Sequence, residues 1–311
     1  MKLSIVTPCY NVAPYLPAYF ESLFNQQFND FEVICVDDAS TDNTWEVLQE
    51  YARKDQRIRL HQLPQNSGGC KIPKETGVAL SHNDWILVLD SDDVIDGGYI
   101  YELVKRQQET GADVVCTRIE TFREQPHDIS GWFIPGIDFD YSQLLTGRQA
   151  VILTVRKWQI NTAGMLHKKS TYSDCQQLLK PRPALGRDFA DEFTGRVILM
   201  QAEKVAFVNQ TYWYRENPDS ITRRKDKIKR TYNTDYDIWE MLSEQYGEDS
   251  QEARIAKTAY LENLVRTKKA YGDKVPDVQQ ILSHLRFKDI WQTKWRLRKK
   301  ISIYLSLLLK K

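Results

Sequence analysis

Two runs near the start of the chain, "KLSIVTP" at residues 2–8 and "FEVICVDD" at residues 31–38, are apolar on both faces and bounded by turn residues. A strand with one wet face alternates apolar and polar side chains. Unbroken apolar runs of this length instead mark central parallel strands covered by helices on both sides. Between the two runs, "APYLPAYFESLFNQ" places Tyr15, Leu16, Tyr19, Phe20, Leu23 and Phe24 at helical spacing. The pattern then repeats. A helix is predicted over "TDNTWEVLQEYARKD", with Ser40 or Thr41 placed to cap it, followed by a strand at "RIRLHQ" and a helix at "PKETGVALSH". A strand at "DWILVLD", a helix at "GYIYELVKRQQETG" capped by Asp96, and a strand at "ADVVCTRI" complete the series. Such alternation predicts an α/β fold with a doubly wound, mostly parallel sheet flanked by helices.

Residues 121–148 lose this rhythm and read as an excursion over the surface, and "VAFVNQTYWYR" supplies a closing strand near residue 215. Beyond "RRKDKIKR" the chain is helical and polar, with Ile238, Trp239, Leu242 and Tyr246 on one stripe. The expected organisation is therefore a domain over 1–220, with halves of about 1–120 and 121–220, and a helical extension over 221–311.

The 311 residues are 41% hydrophobic and 27% charged, which is material for one large core and a smaller appendage. A net charge of +1 provides no global field for nucleic acid. Charge is nevertheless uneven: residues 286–311 carry nine Lys or Arg against one Asp. Cys9, Cys35, Cys70, Cys116 and Cys175 are scattered and odd in number, so they are expected to be reduced thiols of a cytosolic protein. The apolar stretch at the N-terminus is too short for a signal-peptide core, and no run approaches the roughly 20 apolar residues of a membrane span.

In open α/β sheets, ligands bind beyond the carboxyl ends of the strands. Three groups are predicted there: "TPCYN", "VDDAS" and "LDSDD". The last sets Asp90, Asp92 and Asp93 within four residues, where like charges repel unless something compensates them. Oxygen ligands suit Mg2+ or Mn2+, cations commonly shared with a substrate's phosphates. Asp37 and Asp38 could equally flank or cap the following helix. The five histidines form no ligand pair by spacing.

Taken in order, these groups resemble the inverting glycosyltransferases of family 2, which have the GT-A fold. "SIVTPCYNVAPYL" is similar to the family's opening strand and turn, "FEVICVDDASTDNT" to its nucleotide-binding segment, and "LDSDD" to its Asp-x-Asp motif. "NSGGCKIPKETG" is similar to a loop usually written Asn-x-Gly-Gly then Pro-Arg-Asn-x-Gly, with Lys74 and Glu75 departing from Arg and Asn. "RDFADEFTGRV" and "YRENPDSIT" look like later acceptor-side segments, so the resemblance covers about residues 1–224. It implies that Thr7, Pro8 and Tyr10 line a nucleoside pocket and that Asp38 accepts from the base, with Asp37 supporting the turn. It also implies that Asp90 and Ser91 lie at the ribose and metal shell and that Asp92, with Asp90, holds Mn2+ or Mg2+. Lys74 would neutralise a phosphate as a point charge rather than as a bidentate fork.

The reaction so implied moves a sugar from a nucleotide diphosphate-sugar, by default a UDP-sugar, to an acceptor hydroxyl of a glycan or lipid-linked glycan. It requires a general base. In "GRDFADEF" the candidates are Asp188, Asp191 and Glu192, and counting back from "KVAFV" puts the family's base at Asp191. The same residues could instead be an acidic helix N-terminus stabilised by its dipole.

"FKDIWQTKWRLRKKISIYLSLLLKK" places Phe287, Trp291, Trp295, Ile301, Tyr304 and Leu308 along one side of a basic amphipathic helix. An anionic membrane surface, at the inner face of the cell membrane, is its expected partner; the alternative is docking on its own domain or on a second subunit. A catalytically inactive subunit that recruits a partner is the non-enzymatic alternative. A sugar nucleotidyltransferase would need a Gly-rich loop after the first strand, and "TPCYNVAPY" has no Gly.

Overall fold

A computed structural model of the chain describes residues 1–126, 128, 140–155, 162–172, 190–217, 231–285, 287–291, 293, 296 and 298–300. The chain divides into two compact units, Met1–Pro181 with Ala190–Asp219, and Arg182–Phe189 with Ser220–Lys311.

The first unit is built on β1 (Leu3–Cys9), β2 (Phe31–Asp37), β3 (Ile58–Gln62), β4 (Trp85–Val88), β5 (Val94–Ile95), β6 (Val114–Phe122), β7 (Leu144–Leu145), β8 (Leu166–Lys168) and β9 (Val205–Arg215). Its helices are α1 (Leu16–Phe24), α2 (Thr44–Lys54), α3 (Lys71–Leu80), α4 (Tyr99–Thr110), α5 (Gly147–Thr154) and α6 (Ala190–Gln201). Among the described residues these strands form one sheet in the order β3-β2-β1-β4-β8-β6-β9-β5, with β7 paired to β9. The strands β3, β2, β1 and β4 are all parallel, as their two-sided apolar character predicts. Every residue of β1 is buried. Beyond β4 the sheet becomes mixed, because β8 runs antiparallel to both β4 and β6 while β9 is parallel to β6.

Both helix-capping expectations fail. The N-cap of α2 is Asn43, with no side-chain cap bond. The Ser40 hydroxyl is used by Asp37, and the Thr41 backbone N–H donates to Asn11 Oδ1 at 2.8 Å. Likewise Gly98 is the N-cap of α4, and Asp96 contributes its carbonyl, which accepts from Tyr99 N at 3.0 Å. These side chains and turns are committed to the loops rather than to the helix ends.

The second unit contains α7 (Thr231–Tyr246), α8 (Gln251–Tyr271), α9 (Pro276–Ser283) and α10 (Phe287–Trp291). Ser250 caps α8 by accepting from Ala253 N at 3.2 Å. The predicted stripe on α7 is buried at Ile238 and Leu242, and Trp239 stacks on Tyr260 with ring centroids 5.7 Å apart. Ile290 of α10 is fully buried in this unit's core, and Asp289 pairs with Lys257 at 2.9 Å. The first turn of the predicted membrane helix therefore docks on its own unit, leaving Trp291 47% exposed. Trp295 and residues 301–311 lie outside the described residues, as does Asp188. No helix among the described residues is long and apolar enough to cross a membrane.

One glycine decides how closely α3 can lie on the sheet. A Cβ at Gly77 would fall 2.4 Å from Val6 Cγ1, far inside contact distance. This close approach carries the N-terminal half of α3, and Lys74 with it, down to the carboxyl edge of β1. Gly77→Ala should destabilise the protein by about 1–3 kcal/mol through overpacking, measurable by urea denaturation. A variant as stable as the parent would show that α3 can lift off the sheet freely.

Candidate functional site

Because β1, β2 and β4 run parallel and in register, the segments that follow them emerge at one edge of the sheet. The first two segments are tied together. Asn11 (φ 52°) and Ala39 (φ 55°) both adopt the left-handed conformation at the tips of their turns. Asn11 Nδ2 donates to Thr41 Oγ1 at 3.1 Å, and the Asn11 backbone N–H donates to Ser40 Oγ at 3.0 Å. Asp37 is fully buried and accepts from Ser40 and from Gln62 Nε2 at 2.9 Å, so it braces this turn. Asp38 turns the other way, accepting from Ser67 N and Ser67 Oγ, each at 2.9 Å, and from Asn66 Nδ2 at 3.2 Å. Burial raises its pKa despite the two Ser67 bonds that oppose the shift.

The acidic segment after β4 divides its labour. Asp93 is buried and accepts from the Tyr212 hydroxyl at 2.6 Å and from Arg215 N at 2.7 Å, pinning the segment to β9. Burial, then the Asp92 and Asp90 charges, push its pKa well above the ordinary carboxylate value. Asp92 accepts from Asn217 Nδ2 at 3.0 Å through one oxygen, and its carbonyl accepts from Arg215 Nε at 2.7 Å. Asp90 lies 3.0 Å from the Lys74 ammonium. Burial also raises the pKa of both Asp90 and Asp92, so the cluster carries its negative charge under strain.

Lys74 comes to this cluster from α3, its side chain only 2% exposed. Its Nζ also lies 3.1 Å from Asp191 Oδ2, in the first turn of α6. Burial alone would lower the lysine pKa, but Asp191 and then Asp90 hold it well above its ordinary value. Asp191 further accepts from Thr162 Oγ1 at 3.1 Å and from Cys70 Sγ at 3.5 Å. The arrangement is an acidic edge with one buried cation inside it. Removing that cation would leave carboxylates uncompensated, a loss of roughly 3 kcal/mol for buried pairs.

The family model for glycosyl transferase family 2 matches residues 4–153. Glycosyltransferase GlyG of Streptococcus pneumoniae is 30% identical over 227 residues, 71% of this chain and 73% of GlyG. The chain belongs to glycosyltransferase family 2. GlyA of the same organism is 26% identical over 71% of this chain, but this chain spans only 32% of GlyA. The poly(ribitol-phosphate) β-N-acetylglucosaminyltransferase TarS of Staphylococcus aureus is 32% identical over 122 residues, 39% of this chain and 21% of TarS. In three dimensions the likeness is wider: residues 1–349 of TarS superpose with a TM-score of 0.69, covering 94% of this chain and 81% of that one, at 18% identity. The same TarS fragment has been solved with UDP-GlcNAc and with UDP. The mixed α/β sheet flanked by helices is thus the GT-A architecture of the family.

Several family-matched positions sit otherwise than their motifs suggest. Thr7 is fully buried, its hydroxyl bonded to Tyr19, so it faces the core rather than a nucleoside pocket. Pro8 and Ser91 bond to each other, Ser91 Oγ donating to the Pro8 carbonyl at 2.7 Å, and both are buried. Tyr10, by contrast, is 41% exposed beyond β1. Lys74 is no exposed helix lysine. Asp90, Lys74 and Asp191 are brought together and Asp92 lies two residues from Asp90, whereas Glu192 turns to Arg196 at 3.6 Å. Among the described residues no group of three or more His, Cys, Asp or Glu side chains is arranged to hold a metal. Sequence motifs missed Asn217, Thr162 and Cys70 as partners of the key carboxylates. Asn217 lies inside the "YRENP" motif and Cys70 inside "NSGGCKIPKETG", whereas an isolated Thr162 carries no sequence signal.

Ala39 bears a Cβ where the backbone favours glycine, at about 1–2 kcal/mol. Ala39→Gly should therefore raise stability by roughly 0.5–1 kcal/mol after the added freedom of the unfolded chain is subtracted. A glycine at the helical Ala52 should do the opposite. Equal destabilisation by both would mean that Ala39 is unstrained.

Proposed function

We propose that this chain transfers a sugar from a UDP-sugar to a hydroxyl of a cell-surface glycan, inverting the anomeric centre, with Asp191 as general base. The observation that carries the reading is the arrival of Asp191, from α6, within 3.1 Å of the same ammonium that holds Asp90. A base and a donor-binding edge must be adjacent for attack on a bound sugar, and this is the adjacency needed. The uridine nucleotide is supported by TarS, whose fold this chain shares and which binds UDP-GlcNAc and UDP. The glycan acceptor is supported by relatives named for poly(ribitol-phosphate) glycosylation.

Asp191 would take the acceptor's hydroxyl proton as that oxygen bonds to the anomeric carbon. The bond from that carbon to the diphosphate breaks, and its electron pair leaves with the nucleotide. Lys74 and Cys70 occupy Oδ2, and Thr162 occupies one site on Oδ1, which leaves Oδ1 able to accept one more proton donor. Tyr10 would offer its exposed ring to the nucleoside, and Asp38 its remaining acceptor site to the base.

The acidic edge fits a divalent oxygen-seeking cation shared with the donor. Burial already pushes Asp90 and Asp92 toward protonation, and each has acceptor capacity beyond the partners described. Mn2+ or Mg2+ held by Asp92 and Asp90 would neutralise the diphosphate as it leaves. Two carboxylates do not make a cage for a metal on their own, which is consistent with a cation completed by donor phosphates.

Excess chelator should abolish transfer and Mn2+ or Mg2+ should restore it, with Asp92→Asn losing most activity while remaining folded. Asp191→Asn should bind UDP as the parent does but lower kcat by about a hundred- to ten-thousand-fold. Full turnover in chelator would remove the metal, and full turnover of Asp191→Asn would remove the base.

The basic C-terminal segment supports attachment to the inner membrane face. With Ile290 buried, the surface-seeking part must begin after α10. Truncation after Lys300 deletes the aliphatic residues and two lysines, each worth about 1 kcal/mol near an anionic bilayer. The truncated protein should sediment less with anionic vesicles while keeping transfer to a soluble acceptor. Unchanged sedimentation would exclude this segment as the anchor.

A further inference from the structure

We propose that Lys74 is a positioning residue for the base: its ammonium cross-links Asp191 to the acidic edge, and the donor phosphates are not its principal partners. This rests on reading Asp191 as the base. A lysine that waits for a phosphate keeps its head in solvent. Lys74 is 2% exposed at its side chain and committed to two carboxylates, at 3.0 Å to Asp90 and 3.1 Å to Asp191. Its route to them depends on the close packing of α3 on β1 at Gly77, so its position is set by the core.

The cross-link must carry a charge. Asp90 and Asp191 come from distant segments, and two carboxylates brought to one spot repel. An ammonium between them turns that repulsion into a bridge, donating a hydrogen bond to Asp191 and pairing by charge with Asp90. Thr162 Oγ1 on Oδ1 at 3.1 Å and Cys70 Sγ on Oδ2 at 3.5 Å then fix the rotation of the Asp191 carboxylate. Three donors from two separate segments, α3 with its N-cap Cys70 and the stretch at Thr162, thus aim one oxygen site of the base, a degree of restraint a merely structural salt bridge does not need.

Full-length Lys74→Met, Lys74→Arg and Thr162→Val are compared with Asp191→Asn by steady-state transfer kinetics and UDP binding. Lys74→Met should hold UDP affinity within about threefold, yet lower kcat at saturating donor by about a hundredfold. In the Asp191→Asn background it should lower kcat by less than about threefold more, since residues acting through one another are not additive. Lys74→Arg, which can still bridge two carboxylates, should recover at least about a tenth of parent kcat, and Thr162→Val should lower kcat about tenfold with UDP affinity unchanged. If Lys74→Met mainly weakens UDP binding and saturating donor restores kcat, the lysine is a phosphate ligand and the proposal is overturned. Should Lys74→Met fail to fold, parent-like kcat in Thr162→Val overturns the held-base geometry. Full turnover of Asp191→Asn is a separate outcome that removes the base reading itself.

Discussion

The ammonium of Lys74 is the contact on which the candidate site depends. Asp90 and Asp191 lie far apart in the chain, and burial disfavours the charge of Asp90. Without a cation between them, the edge of the sheet would push α6 away or force protons onto the carboxylates. With it, a loop after β4 and the first turn of a late helix share one partner at 3.0 and 3.1 Å. The rest of the first unit can be understood as the means of delivering that ammonium: a glycine at residue 77 lets α3 press on β1, and the parallel register brings the three loop ends level.

The charge is compensated unevenly across the acidic segment. Asp93 has only neutral donors on β9, the Tyr212 hydroxyl and the Arg215 backbone N–H, and burial with the Asp92 and Asp90 charges pushes its pKa well up. Asp90 is neutralised by Lys74. Asp92 is held by Asn217, a neutral donor, with the Arg215 and Lys74 charges acting on it from nearby. On the reading proposed above, a cation brought with the donor's diphosphate would meet Asp90 and Asp92 at this edge.

Legibility in the sequence followed burial. The strands β1, β2 and β4 declared themselves because two-sided burial leaves an apolar run that few other structures can use. The strands β5, β7 and β8 have two or three residues each and no period long enough to detect, so the change to a mixed sheet could not be foreseen. In the site, carboxylates were legible and hydroxyls were not. A run such as Asp90–Asp93 must be explained by something outside itself, whereas Thr7, Ser40, Thr41 and Ser91 each satisfy a neighbour that only the fold reveals. The sequence resemblance makes Lys74 a phosphate partner, a description that does not include a buried bridge, because helical periodicity does not show how near one helix lies to a strand.

The two halves of the first unit also differ in how far likeness extends. The family model ends at residue 153 and the TarS alignment spans 39% of the chain, while Asp191 and Asn217 lie beyond the family model's match. A nucleotide diphosphate presents the same groups whatever sugar it carries, so one set of strand ends can serve many donors. Acceptors differ in shape and charge, and the elements that meet them must differ too. On the proposed reading, Asp191 as the base has to stay within reach of the same donor edge in every case. A contact that spans the two halves, made by a side chain of the shared half, meets both demands: Lys74 fixes Asp191 to Asp90 while leaving the surrounding acceptor half free to vary.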